Sequence, residues 1–323
     1  MRSKTGTTSM LLALLALLLL LPHVGGRYYT QIFVQVLINI MLAASLRPSL
    51  LCGQLNIGHS AFMALGAYTS ALLSKNLGFP FEISLLLGGA LAAAVGLGIG
   101  YPALRLRGVY FAMVTVSFVE VIRLTAQLWV PLTRGMSGLS GIPRPSLLGF
   151  VLSTKISQYY LALGLLIVIL LILYRLEYSR LGLIWKSIGM ADTLSQALGV
   201  SVANYKLLAF ALGCFFAGAA GAFYAAFFRF LFPPEFGFLV ATNILVYNFV
   251  GGRGRFIGPI VGATFLTLLV EPFRGSAYET IFFSVAMLLT ILFLPGGLIT
   301  LPSRLMGLGS LGTRAVPNPH TAA

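Results

Sequence analysis

Charged side chains are scarce in this chain of 323 residues. Asp, Glu, Lys and Arg make up 9% of it, against about 25% in an average soluble domain, while hydrophobic residues make up 58%. The mean hydropathy is +0.96. Apolar runs long enough to cross a hydrocarbon layer of about 30 Å recur along almost the whole chain, and each needs roughly 17 to 25 helical residues. This composition excludes an ordinary soluble fold and indicates a protein that crosses a membrane several times.

Residues that carry catalytic or metal chemistry are also few. The three histidines, His23, His59 and His320, are far apart, and Cys52 and Cys214 lie in apolar runs without CxxC spacing, so neither a metal site nor a disulfide framework is expected. The sequence contains no GxxxxGK[ST], HExxH or GxSxG motif and no paired carboxylates in a polar setting. We therefore expect no enzyme, no ATPase site and no cofactor bound by this chain.

Positive charge is the exception to this scarcity. The chain has 21 Lys and Arg against 7 Asp and Glu, a formal net charge of +14. Clustered basic residues would suggest nucleic acid, but here they are dispersed between apolar segments, as expected of topology determinants and lipid-headgroup contacts. The expected non-protein partner is membrane lipid, and no nucleic acid is expected.

Hydropathy and helix breakers predict an all-α, polytopic membrane protein of about ten transmembrane helices, within a range of about eight to ten. The third predicted span contains Gln54, Asn56 and His59, a polarity that also fits a broken or re-entrant segment. The first span follows Arg2 and resembles a secretory signal, but no small-residue cleavage site follows it, so we expect it to be uncleaved. The predicted spans are 9–25, 30–46, 50–73, 82–102, 108–130, 158–174, 206–228, 236–251, 256–272 and 279–298.

The distribution of basic residues predicts the orientation. With ten crossings and a cytoplasmic N-terminus, more Lys and Arg fall inside than outside, and both termini are cytoplasmic. We predict a single transmembrane domain over 1–300 with a cytoplasmic loop at 175–206, followed by a cytoplasmic tail at 301–323. The inside residues are Arg47, Arg105, Arg107, Arg175, Arg180, Lys186, Arg253, Arg255, Arg304 and Arg314; the outside residues are Arg27, Lys75, Arg134, Arg144, Lys155, Arg229 and Arg274.

Two segments within the predicted spans are more polar than helix packing requires. In 53–72, glycines permit unwound backbone, and Asn56 and Ser60 could hydrogen-bond a zwitterionic solute; the alternative is a helix buried through its small residues. In 110–143, Glu120 and Arg123 lie three residues apart on one helical face. They are predicted either to form a structural ion pair or to act in a solute route or gate.

The loop at 175–206 is the longest hydrophilic interruption and has a helical pattern. Asp192 is predicted to cap a short helix that runs through Leu198 and ends at Gly199. A short helix held away from the membrane is a docking element; the alternative is an amphipathic helix lying on the headgroups with Trp185 at the interface. The preceding apolar positions with helical spacing are Leu181, Ile184, Trp185 and Ile188.

Several of these stretches together resemble one known family. Residues 53–72, 110–143 and 179–225, with GGRGRFIGPIVGA at 251–263 and LPGGL at 294–298, resemble the LivM-type permease subunit of the branched-chain amino acid ABC transporters. The likeness extends over about residues 28–300, in the family's order and at its separations, which is more specific than any single glycine motif.

The resemblance implies a transport subunit of the bacterial inner membrane that works by alternating access. Its implied partners are a sister LivH-type permease, two cytoplasmic ATP-binding subunits that hydrolyse ATP, and a periplasmic solute-binding protein that delivers Leu, Ile or Val. The resemblance further implies that Asp192, Ala197, Leu198 and Gly199 couple the ATPases to the membrane. The chain departs from the pattern at Arg134, where the family has a glycine.

Two other functions remain open at this stage. Members of similar families carry urea, short amides and other small organic solutes. An ion-coupled secondary transporter or channel is also conceivable, although such proteins usually place ionisable residues at mid-membrane. Glu120 is the candidate well inside a predicted span, and Arg123 is expected to neutralise it.

Overall fold

The computed structural model describes residues 26–106, 108–147, 150–273, 275, 279–293 and 297–300. The predicted first span and the predicted C-terminal tail therefore lie outside the described residues, as do Arg107 and Arg274. The described chain is mainly α-helical, and the rest consists of 3-10 turns, two-residue strands and irregular connections. Its helices are α1 (Gly26–Leu51), α2 (His59–Asn76), α3 (Phe81–Ala103), α4 (Val109–Leu128), α5 (Val130–Thr133), α6 (Lys155–Glu177), α7 (Arg180–Met190), α8 (Asp192–Ala197), α9 (Val202–Phe228), α10 (Phe238–Gly251), α11 (Gly258–Val270) and α12 (Glu279–Phe293).

Helix length and composition fit a membrane. Among the described helices, α1 from Tyr28 onwards, α3, α4, α6 and α9 are five that are long and apolar enough to cross a bilayer. Helices α10, α11 and α12 are apolar but shorter, with 14, 13 and 15 residues. Turns of 3-10 helix precede α10 at Pro233–Phe236 and follow α11 at Glu271–Phe273. The prediction of a polytopic all-α membrane protein is confirmed.

The predicted span 50–73 is divided in the structure. Helix α1 continues past Pro48 to Leu51, a turn follows, and α2 begins only at His59. The segment between them has no helical backbone from residue 54 to residue 58. The polar residues Gln54, Asn56 and His59 indicated a broken segment, and the structure shows the break at their position.

Small residues bring α2, α3 and α9 into backbone contact. A Cβ atom at Gly66 of α2 would overlap the carbonyl of Gly218 on α9, and one at Gly221 would overlap the carbonyl of Met63. On α3 the buried residues include Gly88, Ala92, Gly96 and Gly100, which recur every four residues along one face of the helix. Close approach through small residues is how membrane helices gain packing energy without the exclusion of water. Helices α1 and α9 are the most enclosed of the five long helices.

At one end of the bundle, here called the Arg47 end, the ends of α1 and α6 are tied together. Arg47 hydrogen-bonds the Glu177 carboxylate through Nε and Nη2, the latter to Oε1 at 2.8 Å. Its Nη1 donates to the carbonyl of Arg253 at 3.2 Å, and Lys186 Nζ lies 3.3 Å from Glu177 Oε1. Helix α7 and the connection between α10 and α11 therefore lie at this end.

The opposite end, here called the Lys75 end, is closed by connecting segments. Lys75 Nζ donates to the carbonyl of Ser140 at 2.6 Å, and Arg229 Nε donates to the carbonyl of Ile142 at 2.9 Å. The strands β1 (Leu139–Ser140) and β4 (Phe230–Leu231) pair here, and β2 (Ser146–Leu147) pairs with β3 (Phe150–Val151). Lys75 and Arg229 are predicted to lie on the opposite side of the membrane from Arg47, and in the structure they lie at the opposite end of the bundle.

Candidate functional site

The segment 180–199, formed by α7 and α8, projects from the Arg47 end. The hydroxyl of Ser179 accepts a hydrogen bond from the Leu181 amide at 3.2 Å and caps α7. Trp185 is buried, and its Nε1 donates to the carbonyl of Tyr205 on α9 at 3.1 Å. Trp185 therefore anchors the segment to the bundle, and the alternative in which it lies among lipid headgroups is wrong.

Helix α8 lies where the short helix was predicted, but it begins at Asp192 itself and ends at Ala197, one residue before Leu198. It covers Asp192–Ala197, with Ala191 as the residue before it, and the Asp192 side chain makes no capping hydrogen bond. Asp192 forms an ion pair with Lys206 of α9 instead, so the predicted capping role is wrong. Gly199 has a φ of +83°, a left-handed conformation that glycine adopts without strain and that ends the helix as predicted.

The outward face of the segment is apolar. Met190 is 90% exposed, Leu194 63% and Leu198 77%, whereas Ser195 on the other face of α8 is buried. Ala197 and Gly199 are exposed with them. An exposed apolar patch rimmed by polar residues is typical of a protein interaction site. The structure thus brings the four predicted coupling residues onto one segment, with Asp192 turned to the bundle and Ala197, Leu198 and Gly199 in the exposed part.

The Arg47–Glu177 pair that supports this segment is a feature that the sequence did not reveal. Both side chains are only 5% exposed. The two residues are 130 positions apart, and each looks like an ordinary charge at the end of a span. Their pairing satisfies a carboxylate and a guanidinium that would be costly to bury singly.

A second candidate site is a cavity of about 400 Å³, here called the polar cavity, between α1, α9, α10 and α11. Its volume falls within the range of roughly 300 to 1,000 Å³ typical of small-molecule pockets. Polar groups from these four helices meet in it. The described residues that line it are Gln35, Asn39, Leu42, Met63, Tyr224, Glu235, Leu239, Val240, Asn243, Ile244, Tyr247, Leu266, Thr267, Val270, Glu271 and Phe283.

A short chain of amides and hydroxyls forms one wall of the polar cavity. Gln35 Nε2 donates to Asn39 Oδ1 at 3.2 Å, and Asn39 Nδ2 lies 3.0 Å from Thr267 Oγ1 and 3.4 Å from Tyr247 Oη. Gln35 Oε1 is buried and has no hydrogen-bond partner among the described residues. An amide acceptor left open in this way is available to a donor on a solute.

The polar cavity is acidic on one side and apolar on another. Glu235 and Glu271 line it, and Tyr224 Oη donates to Glu235 Oε2 at 2.7 Å. The described lining residues include no lysine or arginine, although the chain as a whole carries a net charge of +14. Leu42 and Leu266 contribute apolar surface. The arrangement can take an ammonium group beside the carboxylates and an aliphatic group against the leucines.

The predicted solute-path residues Asn56 and Ser60 lie outside the polar cavity. Both are buried. Asn56 Oδ1 accepts from the Gly58 amide at 2.7 Å, and Asn56 Nδ2 lies 3.0 Å from His59 Nδ1. The Ser60 hydroxyl has no hydrogen-bond partner among the described residues. Helix α2, which carries Ser60, does reach the polar cavity through Met63, about one turn further on.

Glu120 and Arg123 form the predicted ion pair, with Arg123 Nε 2.7 Å from Glu120 Oε2. Arg123 Nη1 also donates to Gln127 Oε1 at 3.2 Å. The pair does not line the polar cavity, but a Cβ atom added at Gly237, in the turn that leads into α10, would lie 3.3 Å from Arg123 Cδ. Whether Asn56, Ser60, Glu120 or Arg123 acts on the solute stays a prediction.

Sequence reasoning missed the residues of the polar cavity. One signal was present: Gln35 and Asn39 are polar, lie inside an apolar span and are four residues apart, which places them on one helical face. Among the described residues, no group of three or more His, Cys, Asp or Glu side chains could hold a metal ion.

Comparison with known proteins identifies a family and several relatives. The model of the family described as "Branched-chain amino acid transport system / permease component" matches residues 28–294. The chain is 32% identical over 314 residues to the high-affinity branched-chain amino acid transport system permease protein LivM of Salmonella typhimurium and to that of Escherichia coli, covering 90% of this chain and 74% of each relative. It is 24% identical over 310 residues to the ribose import permease protein RbsC of Escherichia coli, covering 87% of this chain and 91% of that relative. No solved structure matches significantly.

Proposed function

Because this chain belongs to the family of permease components of branched-chain amino acid transport systems, we propose that it forms the path by which an ATP-driven importer moves leucine, isoleucine and valine into a bacterial cell. It is an ABC permease, a transport subunit that spans the inner membrane several times. The proposal concerns its solute, its partners and the direction in which it faces.

The amphiphilic lining of the polar cavity is the observation that carries the choice of solute. A branched-chain amino acid has an ammonium group for Glu235 or Glu271, a carboxylate that can accept from amide donors such as Asn243, and an aliphatic group for the apolar wall. Urea and short amides would leave that wall without a partner. A neutral sugar, the solute named for the ribose permease, could donate its hydroxyls to the carboxylates but would bring neither a cation to neutralise them nor an aliphatic group for the apolar wall. The final selectivity is proposed to reside mainly in the solute-binding protein.

The segment 180–199 is proposed to receive the motion of two cytoplasmic ATP-binding subunits. Its exposed Met190, Leu194 and Leu198 offer an apolar contact surface, and partner subunits, not this chain, bind and hydrolyse ATP. The ion pair from Asp192 to Lys206 connects α8 to α9, and α9 runs on to Tyr224 at the polar cavity. A rigid helix between the two sites gives the motion a physical route.

The remaining partners follow from the same family. We propose a LivH-type sister permease packed against this chain in the membrane, and a periplasmic solute-binding protein that docks at the Lys75 end. The Arg47 end and both termini then face the cytoplasm. Alternating access would open the polar cavity first to one side and then to the other. Asn56, Ser60, Glu120 and Arg123 are proposed to border the solute route or its gate.

Purification of the intact complex from native membranes tests this function. Two ATP-binding subunits, a second permease and a solute-binding protein should co-purify, and the reconstituted complex should take up labelled leucine only with ATP and the binding protein present. Urea added in place of leucine should not be taken up. Uptake of leucine by the isolated chain under an ion gradient would instead favour a secondary transporter.

A further inference from the structure

A separate pocket of about 280 Å³ lies at the Arg47 end, next to the segment 180–199. Its walls come from the turn after α1, from the end of α3 and the start of α4, from the junction of α7 and α8, and from Lys206 on α9. None of the described residues that line it also lines the polar cavity. Its size is close to the lower end of the range of roughly 300 to 1,000 Å³ for small-molecule pockets, which suits a ligand no larger than an amino acid.

Gln54 indicates that this pocket is built for a polar ligand. Its side chain is buried, at 6% exposure, and lines the pocket. Neither its Oε1 nor its Nε2 has a hydrogen-bond partner among the described residues. A buried amide that could make several hydrogen bonds and makes none to the described residues is unusual and calls for a ligand or ordered water as its partner.

The same pocket is lined by a charge pair. Asp192 and Lys206, from α8 and α9, contact each other and both line the pocket. Their contact leaves further lone pairs on the carboxylate and further N–H groups on the ammonium. A ligand that carries both an ammonium and a carboxylate group can approach this pair with each of its charges beside the opposite one. Cys52, which also lines the pocket, offers no anion, because burial raises the pKa of its thiol to about 12.

The position of the pocket gives such a ligand a mechanical effect. Gly189 packs against Gly53, so the segment 180–199 and the turn after α1 already touch beside the pocket. A ligand held by Gln54 on one side and by Asp192 and Lys206 on the other would fix α8 relative to the bundle. Motion imposed on the exposed face of α8 would then be opposed by the ligand.

We infer that this pocket is a regulatory site for a small zwitterion, such as a free amino acid, whose binding at the Arg47 end restrains α8 and slows transport. The inference rests on the proposed function, because it gives α8 the role of passing on ATPase motion. It adds a second ligand site, distinct from the polar cavity, through which solute accumulated on that side would limit its own import.

The test uses the intact complex in proteoliposomes, with the ATP-binding subunits outside and the solute-binding protein loaded with leucine in the lumen. ATP hydrolysis is measured while L-leucine is added outside, and parallel samples receive 3-methylbutylamine or 4-methylpentanoate, which keep one charge each. Leucine should inhibit, and each analogue should be at least about tenfold weaker, because it forms only one of the two charged contacts. Absence of inhibition by leucine, or equal inhibition by an analogue, would overturn the inference.

Gln54→Leu separates the pocket from other causes of inhibition. This variant should hydrolyse ATP normally without added leucine but need about tenfold more leucine for half-inhibition. Gln158→Leu is the matched control, because Gln158 is also buried with an unpartnered amide oxygen but lies far from the pocket on α6, and it should be inhibited like the parent. Equal inhibition of both variants would refute the site.

If Gln54→Leu fails to assemble, Leu106→Trp offers a second route, since Leu106 lies at the partly exposed rim and a larger side chain there fills the pocket. It too should lose inhibition. A complex that shows no ATP-driven uptake at all would count against the proposed function, whereas active uptake without inhibition by leucine counts against the regulatory site alone.

Discussion

At the scale of single residues, buried charge matters most where it is paired. Arg47 and Glu177 are almost fully buried and join α1 to α6 directly beneath the segment 180–199. Lys186 shares the same carboxylate from α7. Removing one partner of a buried pair leaves the other charge without compensation, at a cost of about 3 to 5 kcal/mol, although replacing both partners by apolar residues is often tolerated.

We therefore expect Glu177→Gln to lower the thermal stability of the purified complex markedly. The double variant Arg47→Met with Glu177→Leu should regain most of the loss, because it leaves no unpaired charge between the two helices. The unfolding midpoint of each complex measures the effect. A Glu177→Gln complex as stable as the parent would show that water reaches this pair.

Glu235 is the residue at which the choice of solute can be tested. Glu235→Gln keeps an acceptor for the Tyr224 hydroxyl but removes one of the two carboxylates that line the polar cavity. The initial rate of leucine uptake should fall about tenfold, the effect of losing one hydrogen bond between charged groups. ATP hydrolysis stimulated by the binding protein reports on assembly and should persist. Glu82→Gln, a glutamate at the start of α3 that does not line the polar cavity, is the control, and an equal loss in both variants would contradict the assignment.

At the scale of secondary structure, local signals predicted elements well and their assembly poorly. The predicted spans 158–174 and 206–228 lie inside the observed α6 and α9. The end of α8 was predictable from Gly199 alone, because the left-handed backbone that ends the helix depends on the residue type at that position. Arg134, where the family resemblance implies a glycine, has a φ of +62°, a conformation that favours glycine. The polar cavity was not predictable in the same way, since Asn39 and Thr267 meet across 228 positions of sequence.

Gly199→Val should impair the coupling of ATP to transport without preventing membrane insertion. A β-branched side chain disfavours the left-handed conformation by about 1 to 2 kcal/mol, so the end of α8 and the position of Leu198 should change. Gly164→Val is a matched control, because a Cβ at either position meets no atom within 4 Å and only Gly199 has a positive φ. We expect ATP-driven leucine uptake to fall in the first variant and to persist in the second.

Equal uptake by the two variants, at equal amounts in the membrane, would show that the shape of α8 does not matter for coupling. Loss of the Gly199→Val protein from the membrane would show instead that α8 is needed for folding. The ratio of uptake to membrane-inserted protein distinguishes these outcomes.

At the scale of the whole molecule, the two ends of the bundle have different roles in the proposal. The Arg47 end carries the apolar face of α8 and the pocket lined by Gln54, Asp192 and Lys206, and the Lys75 end carries the connections that a binding protein would meet. Helix α9 runs from one end to the other and connects the segment 180–199 to the polar cavity. Every step of this scheme requires that the Arg47 end faces the cytoplasm, as the excess of basic residues predicts.

Labelling of introduced cysteines, compared between cells and inverted membrane vesicles, measures that orientation. Thr193→Cys places a thiol on the exposed part of α8, and Phe150→Cys places one on the exposed β3 at the Lys75 end. The native Cys52 and Cys214 are buried and should add little background. A membrane-impermeant maleimide should label Phe150→Cys in cells with a permeabilised outer membrane, and Thr193→Cys only in inverted inner-membrane vesicles. The reverse pattern would put the apolar face of α8 on the side without ATP, and the coupling role proposed for segment 180–199 would then be physically impossible.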